Sequence, residues 1–250
     1  MTNYSQLRPE KVIETLEKLH QRIKERFPNR GLVNVCSELT ELAKVTSERS
    51  RRIARPNIFL RTIVALVVAG AIGLLIYIFY YYPTYIQVNL DDGTVKADKG
   101  LQLITGIEAL ANIVLLLGAA IFSLWTWEKR YKQRRSLEFL NELNAITHVI
   151  DMHQLTKDPS FIIISGPKTS SSPKREMSEF ELTRYLDYCS EMLSLTAKLA
   201  AFYAQSMHEP AVVRAAADIE QLTTNMSRKI WQKIILVQNN TNAIKHSLSA

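Results

Sequence analysis

The chain is almost without cysteine. Cys36 and Cys189 are its only two, far apart, and neither has another Cys or a His nearby at metal-ligand spacing. A disulfide framework and a zinc module are therefore not expected. Both thiols fall on apolar faces of predicted helices, where a free Cys behaves as a small hydrophobe. Phosphate loop, nucleophile elbow, kinase signatures, dinucleotide fingerprint and zinc-binding helix are also missing from the sequence. Without any of these the chain reads as non-enzymatic, with no cofactor and no metal. The first thirty residues are rich in Lys, Arg and Glu and lack the apolar core of a signal peptide. Membrane insertion is then expected to use an internal segment.

Bulk composition hides the main feature. Hydrophobic residues are 47%, charged residues 22%, and mean hydropathy is −0.05. The apolar residues are concentrated in two blocks. Residues 62–82 read TIVALVVAGAIGLLIYIFYYY, an uncharged run stopped by Pro83. Residues 109–127 read ALANIVLLLGAAIFSLWTW, also uncharged. A helix of about 20 residues is roughly 30 Å long, the thickness of the hydrocarbon core, so each run predicts a membrane span.

Basic residues set the expected orientation. Arg49, Arg51, Arg52, Arg55 and Arg61 precede the first run, and Lys129, Arg130, Lys132, Arg134 and Arg135 follow the second. The connecting loop has Lys96 and Lys99 against Asp91, Asp92 and Asp98. Positive flanks stay cytoplasmic, so both termini are expected there, in a cell or inner membrane. Tyr80, Tyr81, Tyr82 and Tyr85 at the outer end, and Phe59, Trp125 and Trp127 at the inner end, suit the headgroup region. The net charge of +7 then makes anionic lipid headgroups the natural partner, at about 1 kcal/mol per juxtamembrane cation. No basic patch with interleaved aromatics is present, so nucleic acid is not an expected partner.

The rest reads as helices. Val12, Ile13, Leu16, Leu19, Ile23 and Phe27 form one stripe at steps of three and four. Leu32, Val35, Leu39, Leu42 and Thr46 form another beyond a Pro28–Gly31 break. Leu137, Leu140, Leu143, Thr147 and Ile150 extend the second span into the cytosol up to Asp158-Pro159. Ser178 and Glu181 form an S-x-x-E capping box that starts a helix of about 28 residues with two adjoining stripes. Leu182, Leu186, Cys189, Leu193, Ala200 and Tyr203 make one, and Tyr185, Tyr188, Met192, Leu195, Leu199 and Phe202 the other. A face that broad must meet several neighbours. After Glu209-Pro210 a last helix carries Val212, Ala216, Ile219, Met226, Ile230, Ile234 and Val237, and is expected to fray from Asn239.

The expected fold is all-α: a two-pass transmembrane hairpin with a cytosolic bundle of about five helices. Its parts are a cytosolic helical hairpin (1–57), the first span (58–82), an outer loop (83–100), the second span (101–127) and a cytosolic helical domain (128–250) with a flexible linker at 157–178. In the outer loop Asp91-Asp92-Gly93 between β-favouring residues signals a short β-hairpin, marginal by itself. Residues 161–164 suit a strand and a core plug equally.

Three constellations are candidate sites. Glu108 and Asn112 lie one turn apart on a small-or-polar stripe of the second span, which reads as an ion path or as a polar clamp between helices. Ala65, Ala69 and Gly73, following Thr62, give the first span a small face for close helix approach. His148, Asp151 and His153 form a cytosolic polar cluster, but His153 is about 140° round a helix from His148. A cap, salt bridge or interhelical hydrogen bond is the expected role there. The function expected is a membrane-anchored oligomeric scaffold or sensing module that associates with its own copies and with a cytosolic protein. The alternative is a small oligomeric channel or pore-forming effector lined by the second span.

Overall fold

The structure is a computed structural model that describes residues 7–54, 62–73, 76–77, 80, 98–157, 159, 170, 177–207 and 209–248. Six helices and no strand occur among them. Helix α1 (Pro9–Arg26) starts on a proline, whose missing N–H costs nothing in a first turn, and ends with Lys24 and Arg26 facing the negative end of the helix dipole. Helix α2 (Gly31–Ala54) follows a tight turn. Helix α3 (Thr62–Gly73) is short and apolar. Helix α4 (Asp98–Leu155) runs unbroken for 58 residues. Helix α5 (Glu179–Ser206) begins at the Ser178 capping box: the Ser178 hydroxyl accepts from the Glu181 N–H, and the Glu181 carboxylate accepts from the Ser178 N–H. Helix α6 (Pro210–Leu248) closes the chain.

The chain divides into two compact units, residues 1–54 with 133–250, and residues 55–132, so the division falls twice, once inside α4. The first unit is a five-helix bundle of α1, α2, the end of α4, α5 and α6. Its core is one cluster containing Leu16, Leu19 and Ile23 of α1, Leu32 and Leu39 of α2, Phe139 and Leu143 of α4, and Ile230 and Ile234 of α6 around α5. Both stripes of α5 are buried apart from Phe202, which is half-buried.

The width of the α5 face has a direct cause. Against α1, Phe27 meets Tyr185 edge-on at 5.5 Å and Tyr188 at 6.2 Å, and Arg22 pairs with Glu191 at 2.8 Å. Against α4, Phe139 stacks on Tyr203 at 4.3 Å. The Leu7 N–H donates to Gln205 at the far end, so α1 and α5 are antiparallel. Each buried Leu or aromatic contributes about 1.5–3 kcal/mol, which makes α5 the hub of the unit. Exposed pairs such as Glu14 with Lys11 and Lys18 decorate the outside and contribute little.

The second unit has the opposite character. Residues Ala111–Leu155 form a helix long and apolar enough to cross a membrane, with mean hydropathy 1.4 and none of its apolar window buried. Leu116 is 72% exposed and Trp127 69%. Among the described residues this is one such helix, and α3 is a shorter apolar one. Of the first expected span, residues beyond Gly73 other than Ile76, Tyr77 and Tyr80 lie outside the described residues.

Two boundaries differ from expectation. Helix α4 already begins at Asp98, taking the last three residues of the expected loop, because Asp98 is a good first-turn residue and nothing after it breaks a helix. Helix α6 continues to Leu248 instead of fraying at Asn239, because the polar residues there are tolerated on a helix that has no Gly or Pro to stop it. The Asp-Asp-Gly hairpin and residues 161–164 lie outside the described residues.

Candidate functional site

The His148, Asp151 and His153 cluster sits on the last turns of α4, and the structure sends its members to different places. His148 is exposed. Asp151 accepts from Gln154 Nε2 at 2.6 Å. Gln154 is 2% exposed and accepts in turn from Lys233 Nζ at 2.6 Å, which also donates to the Gln154 carbonyl at 3.2 Å. The lysine thus joins the Lys157 N–H at that helix-end carbonyl and fastens α4 to α6. His153 turns toward the start of α2. Its Nδ1 lies 3.3 Å from the Tyr185 hydroxyl, and a Cβ on Gly31 would come within 2.7 Å of its Cε1.

Burial, and then the charge of Lys157, push the His153 imidazole below its usual pKa. Burial raises the Tyr185 phenol and pushes both thiols, Cys36 and Cys189, up to about 12. Thiols so held are poor nucleophiles. Among the described residues no group of three His, Cys, Asp or Glu could hold a metal ion.

The other candidates lie in the second unit. Glu108 and Asn112 are exposed in the single chain. Ala65, Ala69 and Gly73 are exposed too, and among the described residues nothing lies within 4 Å of where a Cβ on Gly73 would stand. Among the described residues the small face of α3 is therefore open.

Among the described residues, two concavities on the bundle stand out. One, of about 430 Å³, lies at the α1–α2 turn with Arg26, Arg30 and Glu181 on its walls. The Ser178 N–H and hydroxyl, and more weakly Arg30 and Arg26, hold the Glu181 carboxyl below its usual range. Arg26 and Arg184 also lie over the Phe180 ring, at 5.2 and 5.8 Å. The other is an open groove of about 760 Å³ between α5 and α6. Small residues, among them Ser190, Ala197 and Ala201, form its α5 side, while Glu220, Arg228 and Trp231 project from α6.

Neither concavity converges acid, base and nucleophile in the way a reaction centre does. The fold defines the chain as an all-helical protein with a helical bundle. No family model, no curated protein and no solved structure matches it. Sequence reasoning missed Gln154 and Lys233, whose partnership joins residues 79 apart, and the outer face of α6. Glu220 and Arg228 on that face were readable, but its exposure was not.

Proposed function

We propose that the protein is a two-pass integral membrane protein, with both termini cytoplasmic, that works as an oligomeric interaction, scaffold or sensing module without catalysis of its own. The observation that carries this reading is the divided character of α4. Its first half presents exposed apolar residues such as Leu115, Leu116 and Phe122, while its second half buries Phe139, Leu140 and Leu143 in the bundle. One helix thereby belongs to a lipid-compatible unit and to a water-compatible unit. The open face at Ala65, Ala69 and Gly73 supports association between copies in the membrane. The bundle would engage a cytosolic protein, and the basic borders would hold anionic lipid.

Impermeant thiol labelling tests the topology. A cysteine at Thr94 is labelled from outside intact cells and one at Ser171 only after permeabilisation; the reverse pattern overturns the orientation. Ala69→Leu tests the small face: insertion persists while crosslinked oligomer declines, and an unchanged oligomer removes that face from assembly. The exposure of Glu108 and Asn112 supports a second reading, an oligomeric channel lined by the second span. Ion flux in proteoliposomes that is altered by Glu108→Gln favours the channel; no flux in either form favours the scaffold.

A further inference from the structure

Helix α6 carries two stripes. Val212, Ala216, Ile219, Thr223, Met226, Ile230, Ile234 and Val237 are buried in the bundle. A second stripe, at steps of three and four and about 100° further round the helix, is Val213, Ala217, Glu220, Thr224, Arg228, Trp231 and Ile235, and every member is exposed. Three of these are large and apolar, with Val213 45%, Trp231 54% and Ile235 49% exposed. A helix facing only water does not need such a row.

The order of residues in this stripe is symmetric about Thr224. Counting outward by equal steps, Glu220 is matched with Arg228, Ala217 with Trp231, and Val213 with Ile235. Two copies of the helix, antiparallel and related by a two-fold axis through Thr224, would therefore set acid against base, small against large and aliphatic against aliphatic. Each of these contacts would occur twice, as an isologous interface requires. A parallel pair would instead set Glu220 on Glu220 and Arg228 on Arg228, which is unfavourable.

The surroundings admit a second helix. The stretch from Glu220 to Trp231 borders the groove whose α5 side is made of Ser190, Ser194, Ala197 and Ala201. Those side chains are short, so a neighbouring helix can approach the furrow. Lys198 is drawn along α5 by bonds to the Ser194 hydroxyl and carbonyl.

We infer that the outer stripe of α6 is a self-pairing surface, and that two copies of this chain associate through antiparallel α6 helices across a two-fold axis at Thr224. This deepens the oligomer reading and rests on it only in expecting copies to associate, since the contact is separate from the small face of α3.

The test uses the full chain in detergent. Mass photometry across a dilution series gives the dimer fraction, and circular dichroism checks the fold. Glu220→Arg and Arg228→Glu each weaken dimerisation by at least about tenfold, because each creates two like-charge contacts. The double swap, Glu220→Arg with Arg228→Glu, restores it. Thr224→Cys forms a copy-to-copy disulfide under mild oxidation, and Asp218→Cys, on a different side of α6, does not. A wild-type dimer indifferent to both reversals overturns the α6 surface and leaves the oligomer reading standing. A wild-type chain that stays monomeric overturns both. A double swap that fails to restore the dimer overturns the antiparallel pairing.

Discussion

Replacing Phe139 with alanine removes the largest side chain that α4 contributes to the bundle. Phe139 is 1% exposed and lies stacked on Tyr203, itself 1% exposed, with ring centroids 4.3 Å apart and planes at 19°. Truncating a buried Phe typically costs about 3–5 kcal/mol, the lost transfer free energy plus the cavity left between neighbours that cannot fully collapse. Loss of the ring–ring contact, about 0.5–1.5 kcal/mol beyond its area, favours the upper part of that range. For a unit of this size each kcal/mol shifts the melting temperature by about 2–4 °C, so Phe139→Ala should melt roughly 8–20 °C lower. Trp127→Ala is the control on the same helix. Trp127 is 69% exposed, and exposed substitutions usually stay within about 0.5 kcal/mol, so the bundle should melt within about 2 °C of wild type. Thermal circular dichroism of both variants in one detergent reads the difference. If Phe139→Ala melts no earlier than Trp127→Ala, the second half of α4 does not belong to the core, and the division of α4 on which the functional reading stands is wrong.

Other outcomes follow from single contacts. Gly31→Ala gains up to about 1 kcal/mol of helix propensity, but its Cβ would meet the His153 ring at 2.7 Å. It should therefore destabilise by about 1 kcal/mol in the wild type and become neutral or stabilising in a His153→Ala background, as a double-mutant cycle by urea unfolding would show. The depressed His153 pKa means the folded protein holds the imidazole neutral while the unfolded chain protonates it near 6.5. The stability from this group is thus present above pH 6.5 and is lost as pH falls below it, so denaturant midpoints should drop as pH falls below about 6.5 in wild type and less in His153→Gln. Ser178→Ala removes the capping box and should cost about 0.5–2 kcal/mol, read as faster amide exchange in the first turn of α5. Gln154→Ala removes one acceptor, at 2.6 Å, from the half-buried Lys233 and should cost about 1–3 kcal/mol by chemical denaturation.

Local rules account for most of the helices. The stripes of α1, α2, α5 and α6 were readable because a helix buries residues at steps of three and four, and that spacing is written into the chain. The α5 start was readable because a capping box needs only residues three apart. The apolar run of α4 was readable because a charge-free helix of that length has few other uses. Boundaries at Asp98 and beyond Asn239 were less legible, since a helix passes through polar residues when no Gly or Pro stops it.

The fate of single polar residues was another matter. His148, Asp151 and His153 stand together in sequence, yet one is exposed, one is bonded to Gln154 and one faces Gly31 and Tyr185. The neighbours of His153 come from α2 and α5, and Gln154, which bonds Asp151, is held in turn by Lys233 of α6, 79 residues away. The sequence by itself determined that this chain is helical, where its helices carry apolar faces, and which stretch is apolar enough for a bilayer, because those properties depend on neighbours within one turn or one run. Only the tertiary structure decided that α5 is the hub, that Lys233 closes the end of α4, and that one stripe of α6 is buried while the other, with Trp231, faces outward. Those outcomes depend on which helices meet, and that is set by packing across the whole bundle.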